Sequence, residues 1–197
     1  TRGLAALKLR DVWAYRELLY FLVWRDVKVR YKQTLLGVLW VILQPVVSMA
    51  IFTVLFGVLL KVPSGDVPYP IFAFAGLLPW NYFSQALSRS STSVVNSANL
   101  ITKIYFPRLV IPLSGVLSSL VDFAIAFGVL VLLMVVYGIA PTTRLAILPL
   151  LILLAMATAL GFGLWLSALN VKYRDVNYLL PFLIQIWMYL TPVVYGS

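Results

Sequence analysis

Five apolar stretches, separated by charged or proline-rich breaks, set the pattern of this chain: roughly residues 35–60, 71–87, 109–137, 145–169 and 179–195. A helix crosses a bilayer core of roughly 30 Å with about 20 apolar residues, and tilt or interfacial side chains accommodate shorter and longer runs. Each stretch is therefore predicted to be a membrane-crossing helix. The runs are too continuous for the alternation of a barrel strand, and an open sheet would leave backbone groups unpaired in lipid. The expected fold class is all-α: a polytopic helical membrane protein, with an N-terminal amphipathic interface helix and five transmembrane helices.

The segments between the stretches carry their own pattern. Residues 13–32 are interrupted by Arg16, Glu17, Arg25, Asp26, Lys28 and Arg30, too often for a span. Leu18, Leu22 and Val29 recur at intervals of four and seven, with Trp13, Tyr20, Phe21 and Trp24 among them, which suits a helix lying in a membrane interface. The chain thus divides into an interface segment, 1–34, and a transmembrane domain, 35–197. The loop 61–70 reads KVPSGDVPYP, and its three prolines and one glycine end one helix and delay the next. After the second stretch comes a polar run from Ser84 to Asn96. Residues 71–89 already cover about 27 Å at 1.5 Å per residue, so 90–99 is expected to project from the membrane. NLITKIYFPRLVIP, residues 99–112, mixes apolar and basic residues and stops at Pro107 and Pro112, as a short surface helix before a turn would. In the fourth stretch Ala159, Gly163 and Ser167 are spaced by four, a pattern that lets two helices approach closely.

Composition narrows the chemistry. Apolar residues make up 62% of the chain and charged ones 11%, against about 25% charged in soluble domains. Cysteine and histidine are absent, which removes disulfides, Cys/His metal sites and histidine acid–base catalysis. The net charge of +9 has no basic domain to serve nucleic acid. It is instead one-sided. Residues 1–34 hold eight basic side chains, the segment after the second stretch adds Arg89, Lys103 and Arg108, and the loop after the fourth adds Lys172 and Arg174; only Lys61 and Arg144 lie in the other loops. Basic loops stay in the cytoplasm, so the N-terminus is expected inside. No cleavable signal pattern opens the sequence.

Asp122 lies about midway along the third stretch. A carboxylate there costs several kcal/mol unless paired, protonated or wet. Ser118 and Ser119 share its face of a helix, and with no second intramembrane acid to relay a proton, a hydrogen-bonded packing residue is the reading that follows. Asparagine would then serve in its place. No GxxxxGK[ST] phosphate loop occurs, so any ATP-driven function needs a partner.

Three runs carry a family resemblance: RELLYFLVWRDVKVRYKQTLLGVLWVILQP (16–45), FAGLLPWNYFSQALSRSSTSVVNSANLITKIYFPR (74–108) and NVKYRDVNYLLPFLIQIWMYLTPVVY (170–195). Together they resemble the ABC-2 type permeases of polysaccharide exporters, the O-antigen, capsule and teichoic-acid group. The resemblance implies the permease half of an ABC exporter that moves a lipid-linked polysaccharide out across the inner (plasma) membrane of a bacterium. Its partners would be a separate ATPase subunit holding ATP and Mg, a second copy of the chain in a homodimer, and membrane lipids, with no nucleic acid. It would be a transport subunit, not an enzyme, with no cofactor of its own. Asn99, Leu100, Ile101, Thr102, Lys103, Ile104, Tyr105 and Phe106 match the helix that couples to the ATPase. Lys172, Tyr173, Arg174 and Asp175 offer a second cytoplasmic contact. Trp80, Tyr82, Phe83, Trp187 and Tyr189 are candidates to face a sugar chain. Members of the family have a sixth span, expected beyond Ser197. An ABC-2 permease for drugs or small lipids is the alternative within transport. A membrane transferase would need clustered carboxylates for a metal, whereas these acids are scattered, and an ion-coupled carrier would have to work through Asp122 alone.

Overall fold

The computed structural model describes residues 9–32, 39–61, 67–140 and 147–191. The start of the first apolar stretch, the centre of the 61–70 loop at 62–66, Arg144 and residues 192–195 fall outside them. The described residues are helical: α1 (Leu9–Ala14), α2 (Arg16–Lys32), α3 (Leu39–Phe52), α4 (Tyr69–Asn96), α5 (Ala98–Lys103), α6 (Val110–Val136), α7 (Leu148–Lys172) and α8 (Val176–Leu190). The wider turns of a π-helix, Thr53–Leu59, continue α3. Three helices are long and apolar enough to cross a membrane, Leu39–Leu59, Val110–Val136 and Leu148–Lys172, and α8 is a shorter apolar one.

α4 is the centre of the bundle. It packs on α6 and α7 along much of its length, and on α3 and α8 more briefly. The polar run stays helical and packed: α4 runs unbroken to Asn96, with Ser90 and Ser91 fully buried against its neighbours. α4 is wrapped by protein here, which is why it can carry polar side chains that a lipid-facing helix would not. Several of its hydroxyls are accommodated by back-bonding. Ser91 and Thr92 donate to the Ser88 carbonyl, and Ser93 to that of Ser90. The same device settles Ser114, Ser118 and Ser119 on α6, so a buried serine need not seek a partner on another helix.

Two glycines set how closely the neighbours approach. A Cβ on Gly163 of α7 would lie 2.3 Å from the Ser90 hydroxyl oxygen, and one on Gly115 of α6 would lie 3.3 Å from the Arg89 backbone. Ala159, Gly163 and Ser167 all face inward from α7, so the small-residue stripe is the seam against α4. Asn170 extends this seam, donating to the Ser91 carbonyl at 3.2 Å and to Asn177 of α8 at 2.8 Å.

α2 packs along the first half of α6. Val12 and Leu22 join Phe106, Val110 and Ile111 in an apolar cluster, flanked by Leu18, Leu19, Leu100 and Ile101. Tyr20, Phe21 and Trp24 of α2 are exposed on the other side, as is Trp13 of α1. The helix thus has two apolar faces, an aliphatic one against protein and an aromatic one turned away, suited to an interfacial belt.

Candidate functional site

The polar centre of the bundle is Asp122, whose side chain is 7% exposed. Its carboxylate accepts from Arg30 and from the Tyr31 hydroxyl on α2, and from Arg89 Nη2 on α4 at 2.8 Å. Arg89 also donates to Ser119 at 3.0 Å and to Gln85 at 2.8 Å, and Arg30 reaches Ser118 at 3.5 Å. Burial pushes the Tyr31 hydroxyl up to about 12, and its bond to Asp122 adds to that; the phenol is a neutral donor at any ordinary pH. The two serines next to Asp122 on its helix face bond the arginines and their own helix rather than the carboxylate. The cluster therefore ties α2, α4 and α6 together through charge. Removing one member of such a buried pair costs about 3–5 kcal/mol, because the remaining charges stay behind uncompensated.

A cavity lies on each side of the α4–α6 contact at Arg89 and Gly115. One, of about 340 Å³, lies between α3, α4 and α6, with Asp122 at its polar end and Trp40, Phe74 and Phe123 among its walls. The other, of about 520 Å³, is a polar cleft between α2, α4 and α6, lined by Thr92, Ser93, Asn96 and Ser114. Arg30 and Arg89 border both. Among the described residues no group of three acidic side chains could hold a metal ion.

The connections α4–α6 and α7–α8 lie at one end of the bundle, together with the start of α2. The expected helix over residues 99–106 is shorter than foreseen: α5 stops at Lys103, and Ile104 is extended. Pro107 disfavours helix in the residue before it, and the chain straightens towards it. The segment divides by side chain. Asn99, Thr102, Lys103, Ile104 and Tyr105 are exposed, Tyr105 at 93%, whereas Leu100 and Ile101 are half-buried and Phe106 is 7% exposed in the α2–α6 cluster. Phe106 is therefore an internal anchor, and Tyr105 is the aromatic presented outward. Lys172, Tyr173, Arg174 and Asp175 are all exposed at the same end, with the Lys172 ammonium 5.1 Å from the Tyr173 ring centre.

The profile of the ABC-2 type transporter family matches residues 17–197, nearly the whole chain. The chain belongs to this family. It is a multi-pass membrane permease of a bacterial ABC exporter, a transport subunit without an ATPase domain, whose exporter implies an ATPase partner subunit. Membrane subunits of this family carry no cofactor themselves. The permease is 34% identical to the O-antigen export system permease protein RfbA of Myxococcus xanthus over 95% of its own length and 71% of that protein's. An RfbA of Klebsiella pneumoniae is 32% identical over 92% of the chain and 70% of the relative. The polysialic acid transport protein KpsM of Escherichia coli is 25% identical over 87% and 67% respectively.

Within this permease the five aromatics singled out from the sequence take different places. Tyr82 is buried and meets Phe123 edge-on at 5.7 Å. Trp80 and Phe83 are half-buried neighbours on α4, Trp187 packs on Phe162 of α7, and Tyr189 is exposed. Only Tyr82 of the five lines the 340 Å³ cavity; Trp40, Phe74 and Phe123, which the sequence reading passed over, line it too. Arg30, Tyr31 and Arg89 were likewise not singled out. The available signal was Asp122 itself, since a mid-span carboxylate calls for a cation.

Proposed function

We propose that this permease exports a lipid-linked polysaccharide, O-antigen-like, from the cytoplasmic side of the inner membrane to its outer side, driven by ATP hydrolysis in the separate subunit. The observation that carries the reading is the 34% identity to an O-antigen export permease across 95% of the chain. The end that carries the α4–α6 and α7–α8 connections is the cytoplasmic end, with the N-terminus inside: thirteen of fifteen basic residues fall in the three sequence segments assigned to that side, and basic residues hold loops in the cytoplasm. α3 with its π-helical continuation, α4, α6, α7 and α8 are the five spans, and two copies of the chain form the permease. α5 with Tyr105 is the primary ATPase contact, and residues 172–175 are the second.

The test is co-purification with an ABC ATPase subunit from the same cells, followed by hydrolysis with and without lipid-linked glycan. Stimulation by the glycan supports the reading. Stimulation by drugs or small lipids, with indifference to glycan, selects the alternative ABC-2 exporter. A tag at Thr1 should be shielded from external protease and one at residues 63–66 should be cut; the reverse pattern overturns the orientation.

A further inference from the structure

We infer that the contact of Arg30 with Asp122 is a gate between the two cavities, opened when α2 withdraws and driven from the segment that carries Tyr105. The drive and the cytoplasmic placing of the cleft rest on the readings proposed above. Arg30 and Arg89 line both cavities, and Ser118 and Ser119, consecutive on α6, line one each. The joint at Asp122 is therefore the wall that the two spaces share. On one side the polar cleft runs towards the α4–α6 connection, with Asn96 and Ser97 in its lining. On the other the aromatic chamber reaches deeper along α6, to Phe123 and Ala126.

Two features make the α2 half of this wall the movable half. The first is packing. α4 and α6 lie along each other and hold Arg89 beside Asp122, whereas α2 packs on α6 and brings Arg30 and Tyr31 across from one side. The second is charge. Two guanidinium groups share one carboxylate, so when Arg30 leaves, Arg89 and Asp122 remain as a one-to-one pair at 2.8 Å. The stranded charge that makes a buried ion pair costly to break does not arise at Asp122. Arg30, whose side chain is 23% exposed, keeps polar surroundings in the cleft, whose lining includes Asp26, Ser93 and Asn96.

The drive follows from how α2 is held at its other end. Phe106 shares one apolar cluster with Leu22, and Leu100 and Ile101 of α5 pack against it. Tyr105 and Phe106 are consecutive, one turned outward and the other seated in that cluster. A partner that displaces Tyr105 therefore moves residues that bear on α2, and α2 carries Arg30 and Tyr31 in its last turn. Opening would join the cleft to the chamber within one copy of the chain.

The experiment uses the permease with its ATPase in vesicles whose cytoplasmic face is outward, and single cysteines, of which these 197 residues contain none. Ser93→Cys reports the cleft and Ala126→Cys the chamber. A charged, membrane-impermeant thiol reagent should label Ser93→Cys with or without nucleotide. It should label Ala126→Cys slowly until ATP is held on a hydrolysis-deficient ATPase. The rate should then rise about tenfold or more, since the minor state of a two-state element is populated at about 0.1–10%. Arg30→Ala should make labelling of Ala126→Cys fast without nucleotide. Equal labelling of Ala126→Cys with and without ATP, or slow labelling in a folded Arg30→Ala variant, overturns the gate; the nucleotide comparison needs no change at Arg30 and decides even where that variant fails to fold. Tyr105→Ala separates the two parts of the inference. It should abolish the effect of nucleotide and keep that of Arg30→Ala. A nucleotide effect that survives Tyr105→Ala overturns the drive and the ATPase contact at that residue, with the gate left standing. Absence of labelling at Ser93→Cys overturns the cytoplasmic placing of the cleft and this inference with it.

Discussion

The contact between α4 and α7 and the contact between α2 and α6 join helices by different means. The first is close and made of small residues: Gly163 meets Ser90 with no space for a Cβ, and Ala159 and Ser167 continue the seam. The second has two unlike ends. At one, Leu22, Val110 and Ile111 close an apolar cluster around Phe106; at the other, Arg30 and Tyr31 reach across to Asp122, with a cavity on either side. Close backbone contact gives a fixed spacing through many small attractions. A charged joint beside open volume depends on a few groups, and losing one leaves the others stranded. The bundle thus has a tightly built centre, with α2 held against it at two points.

The largest break should come at the charged joint. Asp122→Ala leaves Arg30 and Arg89 facing each other without a counter-charge and should cost about 3–5 kcal/mol. Tryptic cleavage of α2 at Arg25 and Lys28 should rise as the helix comes loose. Asp122→Asn keeps the size and removes the charge, and export should fall with it. Normal export by Asp122→Asn would return the residue to the packing role that its sequence context suggested.

Phe106→Ala, at the apolar end of the same contact, should cost about 3 kcal/mol, seen as a lower melting temperature of the purified permease. Tyr105→Ala, one residue away but 93% exposed, should leave that temperature unchanged and reduce stimulation of the ATPase. The same loss of stability in both variants would contradict the inward and outward placement of the two rings.

At the close seam, Gly163→Leu forces its side chain into Ser90 and should cost about 1–3 kcal/mol. Ser90→Gly should recover part of that loss in the double variant, and strict additivity would show that the two helices do not meet there. The smallest effect is expected from Tyr31→Phe, which removes one hydrogen bond to Asp122, about 1 kcal/mol. An effect as large as that of Asp122→Ala would mean that the phenol, rather than the arginines, carries the joint.

The comparison also separates what the sequence made legible from what it did not. Within the described residues the apolar stretches became α3 with its π-helical continuation, α4, α6, α7 and α8, most ends shifted by a few residues and that of α4 extended by nine to Asn96, because long apolar runs and proline breaks are local signals. The stripe of Ala159, Gly163 and Ser167 was readable for the same reason. The partners of Asp122 were not: Arg30 and Tyr31 lie 92 and 91 residues away along the chain, and no local pattern links them. Arg89 was in plain view, but it was counted among the charges of the cytoplasmic side and not as a partner for Asp122. The polar side chains of α4 announce that it does not face lipid, but not which helices cover it. The split of residues 104–106 was hidden too, since alternating exposure in an extended segment depends on where α2 lies.

The two glycine contacts fall on consecutive residues of α4, Arg89 and Ser90. They therefore stand at one height in the bundle and give it a waist. Residues of α4 before the waist line the smaller, aromatic chamber, and those after it line the polar cleft. Seen as a mechanism, the waist is a fulcrum. A helix that rocks about a fulcrum moves its two arms in opposite senses, so any tilt of α6 on α4 widens one chamber as it narrows the other.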